Sequence, residues 1–214
     1  MADNDMWTIK AALDWTVGFL ERKGDDNPRL SAEWLMSEAT GLSRIELYVN
    51  FEQPLTLDER AVLRDFVARR GKGEPLQLIS GKVPFRYITV LVAPNVLIPR
   101  PETEVLVSEA FVELKLPRVA DHIAAGENGE EVVSPELPEL RVVDLCTGSG
   151  CIACSIASEY PAAHVVALDI APEALALAGK NVAALGLGDR VEVRGSDLLG
   201  ALDHDERGSF DLII

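Results

Sequence analysis

The sequence is short of cysteine and of long apolar runs. Its 214 residues include 3 Cys, too few for a disulfide framework. No stretch approaches the ~18 uninterrupted apolar residues of a membrane helix. The first six residues are acidic and lack the cationic and apolar parts of a secretory signal. We therefore expect a cytoplasmic protein with no membrane partner, whose 48% hydrophobic residues suffice for a buried core.

Basic residues are also scarce. Lys and Arg number 20 against 35 Asp and Glu, which gives a formal net charge of −15. This balance disfavours a chain that holds nucleic acid by general neutralisation of phosphates. Residues 81–214 carry 10 basic and 21 acidic groups, against 10 and 14 in residues 1–80. The acidic second part suits a cationic ligand or partner, although an acidic surface also simply aids solubility.

The metal-binding residue types show no metal-site pattern. The histidines stand far apart, at positions 122, 164 and 204. Cys146, Cys151 and Cys154 have a C-x4-C-x2-C spacing that overlaps the start of a ferredoxin-type pattern, but the chain has no fourth Cys. We interpret the three cysteines as small buried apolar residues and predict no metal site.

Residues 1–80 have the pattern of a small helical bundle. Helical spacing of apolar residues, Pro at a first turn and Gly at the ends predict helices that begin near Ile9, at Asn27 and at Ser43. A fourth helix begins after Thr56, where Thr56-Leu-Asp-Glu59 is a capping-box pattern, and closes before Gly71. These helices show no catalytic pattern.

The character of the sequence changes after residue 80. Aromatic and β-branched residues among Pro and Gly predict a strand pair over 81–100, which we interpret as a linker. A helix is predicted from Pro101 to about Leu116. The Pro-, Gly- and Glu-rich segment 117–139 then predicts an exposed insertion.

From Leu140 onward strands and helices alternate. The predicted strands cover 141–145, 164–168, 191–193 and 210–214, and the helices cover 150–159 and 172–185. Such alternation predicts an α/β domain over 101–214 with a doubly wound, mostly parallel sheet. The sequence ends on an apolar strand with no crossover after it, so we expect an incomplete copy of a larger protein.

A glycine-rich loop follows the first strand of this domain. In Asp144-Leu-Cys-Thr-Gly148-Ser-Gly150, the two glycines allow a ligand to approach the backbone closely at a helix N-terminus. Taken alone, Gly148-x-Gly150-x-x-Ala153 also satisfies the dinucleotide fingerprint. The loop by itself therefore leaves the ligand class open.

Three carboxylates help to choose between the ligands. Asp144, Asp169 and Asp197 lie at or after three strand ends, which line one crevice in a doubly wound sheet. They would repel a pyrophosphate, whereas S-adenosylmethionine offers a sulfonium, an ammonium and a ribose diol. At ~4 Å and an effective dielectric of 20, each mispaired charge costs a few kcal/mol. The alternative is that Asp144 and Asp197 merely cap loops and helices.

A second candidate segment surrounds Arg100. The prolines on either side hold Arg100 in an extended conformation, and Pro101 presets the first turn of the next helix. Glu102 and Glu104 lie near the positive end of that helix. Such a fixed arginine is either a structural tie or part of a substrate pocket, and physical chemistry alone favours the tie.

Together these segments resemble the release-factor glutamine N5-methyltransferases. The resemblance rests on the helical N-terminal part, Gly81-x-x-x-Phe85, Val96-Leu-Ile-Pro-Arg-Pro-Glu-Thr-Glu104, the glycine loop, Leu168-Asp169 and Gly195-Ser-Asp197. Pro-Arg-Pro-x-Thr-Glu is the most specific of these, because general S-adenosylmethionine enzymes lack it.

The resemblance implies a class I methyltransferase fold with S-adenosylmethionine as cofactor. It implies cofactor contacts from nine residues: Asp144, Cys146, Thr147, Gly148, Ser149, Gly150, Asp169, Asp197 and Leu198. It also implies a substrate side at Arg100, Glu102 and Thr103, and a helical bundle that helps to grip a peptide-chain release factor. The methyl acceptor would be the glutamine amide of the Gly-Gly-Gln loop of that factor.

The sequence departs from the family pattern in two ways. Members carry Asn-Pro-Pro-Tyr directly after the fourth strand to orient the acceptor amide, and the 214 residues do not contain it. We therefore expect no catalytic residue among them and little or no methylation by this chain alone. Cys146 also stands where the family usually has Gly.

Three alternatives remain open at this point. A sister enzyme methylates a glutamine in a ribosomal protein with a similar architecture. The Gly148-x-Gly150 pattern alone also fits a nicotinamide-dependent oxidoreductase. Finally, the chain could be a non-catalytic remnant that holds a cofactor or partner without turnover.

Overall fold

A computed structural model describes residues 7–116 and 137–214. The chain divides into two units, Met1–Gly81 and Lys82–Ile214. Most of the predicted insertion, residues 117–136 with His122, lies outside the described residues. The domain boundaries at 80 and 100 stay predictions, and the strand pair predicted as a linker belongs to the second unit. In the described part of the chain, no helix is long and apolar enough to cross a membrane.

The described part of the first unit contains five helices, and three of them begin at a residue whose side chain caps the helix. Side chains of Ser43 and Thr56 form complete capping boxes with Glu46 and Glu59, which satisfy backbone N–H groups at the helix start. The sequence pattern missed the short fifth helix after Pro75. The helices are α1 (Ile9–Arg22), α2 (Pro28–Thr40), α3 (Arg44–Val49), α4 (Leu57–Arg70) and α5 (Leu76–Ser80).

A buried carboxylate lies within this bundle. Glu33 on α2 is 1% exposed and accepts hydrogen bonds at 2.5 Å from Arg29 Nε and Tyr48 Oη. Its second oxygen, Oε2, lies 2.5 Å from Arg44 Nε. Burial alone would raise the pKa of Glu33, but these three donors outweigh burial and hold that pKa below its ordinary value.

The second unit begins with an antiparallel hairpin and continues with a parallel sheet in the order β5-β4-β3-β6. This confirms the predicted α/β class with a mostly parallel sheet. In chain order the elements are β1 (Lys82–Phe85), β2 (Ile88–Leu91), α6 (Pro101–Glu113), β3 (Leu140–Leu145), α7 (Cys151–Glu159), β4 (Ala163–Asp169), α8 (Pro172–Ala184), β5 (Val191–Gly195) and β6 (Leu212–Ile213).

The strand register brings three carboxyl ends to one edge of the sheet. Leu145 pairs with Leu168, and Asp169 pairs with Gly195. The last residues of β3, β4 and β5 therefore lie side by side. Strand β6 is shorter than predicted, although Asp211 N and Ile214 N still donate to carbonyls of β3.

An arginine in the hairpin turn ties the elements of the second unit together. Arg86 has a φ of +50° and pairs through two nitrogens with the Glu159 carboxylate of α7, at 2.6 Å each. Its third nitrogen donates to Glu104 O, at 2.8 Å, and to Ser108 Oγ of α6. A bidentate pair of this kind fixes orientation as well as charge.

Candidate functional site

The candidate site lies where the carboxyl ends of β3, β4 and β5 meet. The loop from Cys146 to Gly150 crosses this edge and leads into α7. Open parallel sheets bind ligands in the crevice outside such strand ends. The predicted cofactor residues of the three strands thus belong to one edge of one sheet.

The loop has a contorted backbone that explains its glycines. Gly148 and Gly150 have φ values of +56° and +77°, a region that L side chains rarely adopt. A Cβ on Gly150 would stand 3.1 Å from the Ala178 Cβ, so the loop packs directly on α8. Thr147 N donates to Leu168 O at 2.8 Å, which fastens the loop to β4.

Asp144 is turned into the loop. Its side chain is buried, and Oδ2 accepts from Thr147 Oγ1 at 2.5 Å and from Ala153 N at 3.0 Å. Burial raises the pKa of this carboxyl to about 6, although the two donors counteract part of that rise. In the structure Asp144 orders the loop and the first turn of α7, and its direct contact with a cofactor stays a prediction.

Asp169 ends β4 and holds the tip of the loop. Its Oδ2 accepts from Gly148 N at 2.8 Å, and its Oδ1 accepts from Ala171 N at 2.9 Å. The residue is half-buried. Because a carboxylate has about four acceptor positions, Asp169 keeps acceptor capacity for a ligand in the crevice.

The turn after β5 forms the third part of the edge. Ser196 N donates to Asp169 O at 2.8 Å, and Ser196 Oγ donates to Leu198 O at 2.7 Å. These bonds leave Asp197 and Leu198 exposed. Leu198 has a φ of +51° and, like Ile170 after Asp169, presents an apolar side chain to solvent.

The predicted substrate-side segment passes beside the loop. Val96 Cγ1 lies 3.8 Å from the position that a Cβ on Gly148 would take. Arg100 is the N-cap of α6 in an extended conformation, and its carbonyl oxygen accepts a hydrogen bond from Thr103 N at 3.0 Å. The side chains of Arg100 and Glu102 are exposed, and Thr103 is half-buried. Whether Arg100 is a tie or a substrate contact stays open.

The cysteines divide into two kinds. Cys151 and Cys154 are buried in α7, as predicted, and burial raises their pKa values to about 11 and about 12. The prediction was wrong for Cys146, which is exposed because it lies on the loop rather than in the helix. The described residues contain no group of three or more His, Cys, Asp or Glu that could hold a metal ion.

Sequence reasoning missed Asn181, which supports the loop from below. This buried residue of α8 donates through Nδ2 to Ser149 O at 2.8 Å and to Leu91 O at 3.1 Å, and its Oδ1 accepts from Leu91 N at 2.7 Å. One amide side chain therefore connects strand β2 with the glycine loop. Asn181 gives no local signal, since its partners lie 32 and 90 residues away.

Comparison with known proteins identifies both units. Residues 11–81 match the model of the PrmC N-terminal domain, and residues 142–214 match a methyltransferase domain model. The release factor glutamine methyltransferase of Geobacter sulfurreducens is 44% identical over 98% of this chain and 64% of its own length. That of Chlorobaculum tepidum is 36% identical over 100% of this chain and 68% of its own length. The chain belongs to the release factor glutamine methyltransferase family. It thus spans about two thirds of the length of these relatives.

Among solved structures, the N-terminal domain of human METTL16 in complex with SAH is 17% identical. It matches 77% of this chain and 55% of its own length, with a TM-score of 0.41. The family assignment rests on the sequence relatives, and it confirms the resemblance found in the motifs.

Cys146 has a left-handed backbone conformation that is unusual for a residue other than glycine. Cys146, where the resemblance described above implies Gly, has a φ of +60°. A left-handed conformation costs a non-glycine residue roughly 1–2 kcal/mol. The loop of this chain therefore keeps the backbone geometry that glycine adopts most easily.

Proposed function

We propose that this chain binds S-adenosylmethionine in the crevice at the ends of β3, β4 and β5. We further propose that the protein of which it is part methylates the side-chain amide of a glutamine in a release factor. The observation that carries the proposal is the position of Asp169, which holds the loop tip through Gly148 N at 2.8 Å and retains acceptor capacity.

The residues of the crevice fit the three parts of this cofactor. Asp169 is suited to the ribose hydroxyls, and Ile170 and Leu198 offer apolar surface for the adenine ring. Gly148 has a φ of +56° and no side chain, so its backbone is open to close approach by the amino-acid part. The exposed Asp197 adds a negative charge that suits a cationic ligand and repels a pyrophosphate.

When bound, the cofactor supplies an electrophilic methyl group on a sulfonium. The chain's own contribution is to position it. Asp144 holds the loop at Thr147, Asp169 holds its tip at Gly148, and Asn181 supports it from α8. An amide nitrogen is a poor nucleophile, so transfer to it depends on orientation and proximity more than on a strong base.

The substrate side of the proposal rests on family membership. We assign recognition of the release factor to the helical unit, together with the exposed Arg100 and Glu102 at the start of α6. A release factor as substrate would place the reaction in the cytoplasm. The alternative methyl acceptor is a glutamine of a ribosomal protein.

Calorimetric titration of the chain tests the cofactor. We expect S-adenosylmethionine and S-adenosylhomocysteine to bind and NAD not to bind. Asp169→Ala should weaken binding about a hundredfold, since it removes the ribose acceptor and releases the loop tip. The matched control is Asp189→Ala, because Asp189 is an exposed carboxylate that lies just before β5. Tight binding of NAD without S-adenosylmethionine would favour the oxidoreductase instead.

Methylation assays test the acceptor separately. The chain and a full-length relative are each given cofactor with either a release factor or a ribosomal protein. We expect the relative to modify the release factor and this chain to do so slowly or not at all. Modification of the ribosomal protein alone would select the alternative methyl acceptor, and full-rate turnover by this chain would contradict our expectation for its 214 residues.

A further inference from the structure

A groove with a volume of about 360 Å³ runs between α1 and α4 of the first unit. Its walls come from one face of each helix, with Trp15 and Phe19 on one side and Arg60 and Arg64 on the other. Its lining is mainly apolar. It lies entirely within Met1–Gly81 and shares no residue with the candidate cofactor site.

One wall of the groove is a stack of aromatic rings. Trp15 lies parallel to Phe19 at 5.3 Å between ring centroids, and Trp7 meets Trp15 edge-on at 6.1 Å. Trp15 is 50% exposed in spite of this stacking. A large aromatic surface left in water beside a groove is typical of a place where a partner's side chain inserts.

The groove also contains a buried hydroxyl that lacks a partner. Thr16 lines the groove and is 1% exposed, and its Oγ1 has no hydrogen-bond partner among the described residues. A buried polar group of this kind costs free energy unless a ligand satisfies it. Thr16 therefore marks where the polar tip of an inserted side chain would sit.

The opposite wall carries two arginines whose charges are not paired within the described part of the chain. Neither Arg60 nor Arg64 has a carboxylate within ion-pair distance there, whereas Arg29, Arg69 and Arg70 of the same unit all do. Two such cations stand out in a chain of net charge −15. They are complementary to a partner with carboxylates.

We propose that this groove binds an acidic peptide segment of a partner protein. A tyrosine of the segment inserts against Trp15, and its hydroxyl bonds to Thr16 Oγ1. Carboxylates on either side of that tyrosine pair with Arg60 and Arg64. The proposal concerns a groove of the first unit and uses no residue of the cofactor crevice, so the peptide assay can succeed or fail separately from the cofactor and methylation assays.

Tryptophan fluorescence of the full chain measures this binding directly. Two of the 3 tryptophans line the groove, and Trp34 does not. The probes are four short acetylated peptides: Glu-Asp-Glu-Leu-Tyr-Glu-Asp-Glu, the same peptide with Phe for Tyr, the same with Ala for Tyr, and the same with Lys for every acid. We expect the Tyr peptide to bind best, the Ala and Lys peptides not to bind, and the affinity to fall with salt. The signal should persist in Trp34→Phe and fall sharply in Trp15→Phe, which leaves Trp7 as the remaining tryptophan of the groove.

Charge reversal tests the cationic wall. Arg60→Glu combined with Arg64→Glu should weaken the Tyr peptide at least about tenfold, whereas Arg22→Glu on the exposed part of α1, outside the groove, should not change its affinity. Circular dichroism checks that each variant folds. Unchanged affinity in the double variant, or equal binding of the Lys peptide, would overturn the proposal.

Thr16→Val separates a binding role from a structural one. It keeps the shape of the side chain and removes the hydroxyl, so we expect the preference for Tyr over Phe, about fivefold in the parent chain, to disappear. A merely structural role would leave that preference intact, and this result would refute the assignment of Thr16. If a single-stranded oligonucleotide quenched the fluorescence equally, the ligand would be a nucleic acid, and the assignment of a peptide would be wrong.

Discussion

The two units each bury a carboxylate, and their surroundings push the two pKa values in opposite directions. Glu33 and Asp144 are both 1% exposed. Glu33 faces two guanidiniums and a phenol, which lower its pKa despite burial. Asp144 faces a hydroxyl and a backbone N–H, which do not cancel burial, so its pKa rises to about 6.

The difference in pKa reflects two different roles. Glu33 stabilises the helical unit, whereas Asp144 orders the loop of the candidate site. The cations at Glu33 come from α2 and α3 and hold these two helices together. At Asp144 an arginine would place a positive charge beside the crevice, where we propose a sulfonium and an ammonium bind. The loop is therefore ordered by neutral donors, and a raised pKa is the consequence.

The largest effect should follow from removing the cations of Glu33. We expect Arg29→Ala with Arg44→Ala to lower the free energy of unfolding by about 3 kcal/mol near neutral pH, because a buried carboxylate loses its partners. In the parent chain the lowered pKa stabilises the fold above the ordinary pKa of Glu, and this stabilisation is lost on acidification. In the double variant the pKa should rise, so stability should instead fall as the pH increases.

Urea unfolding across the acid-to-neutral range measures this reversal. Arg22→Ala, another arginine of the first unit and exposed on α1, is the control and should shift stability by less than about 0.5 kcal/mol. If the double variant kept the parent's pH dependence, Glu33 would not be the group responsible.

A smaller effect, of on the order of 2 kcal/mol, is expected for Asp144→Asn. The folded pKa of about 6 lies above the ordinary 3.8, so ionisation costs the parent chain stability as the pH rises from about 4 to about 6, and the cost persists above that range. Asparagine keeps an acceptor for Thr147 and Ala153 and does not titrate. Relative to the parent, the variant should gain stability between about pH 4 and pH 7, as measured by urea unfolding. Asp189→Asn, which is exposed, should show no such gain.

The smallest effects should come from removing one hydroxyl donor at each carboxylate. Thr147→Val takes one of the two donors from Asp144 and should cost about 1–2 kcal/mol at neutral pH. Tyr48→Phe leaves Glu33 its two arginines and should cost about 0.5 kcal/mol. Thermal unfolding of Thr147→Val and Tyr48→Phe shows which variant loses more stability. A larger loss for Tyr48→Phe would contradict the view that Glu33 has more donors than it needs.

Local signals in the sequence predicted most of the fold. The capping box at Thr56, the first-turn prolines and the alternation of strands and helices all act over a few residues. The helix after Pro75 was missed because it has five residues and little periodicity. The predicted insertion lies mostly outside the described residues and stays a prediction from composition.

The candidate site was predicted less completely than the fold. The glycine loop and Asp169 were found because strand ends and glycines are visible in sequence. That Asp144 turns inward and Cys146 outward depends on three positive-φ residues within five, Cys146, Gly148 and Gly150. Asn181 and the pair of Arg86 with Glu159 depend on contacts across 32 to 90 residues, which a single sequence does not reveal.

The three hydrogen bonds of Asn181 couple two places that the chain keeps far apart. Any opening of strand β2 at Leu91 withdraws bonds from the same amide group that steadies Ser149 in the loop. By thermodynamic reciprocity, a ligand that steadies the loop also closes the strand. Hydrogen exchange at the Leu91 amide is therefore a reporter of cofactor binding at a distance from the cofactor itself.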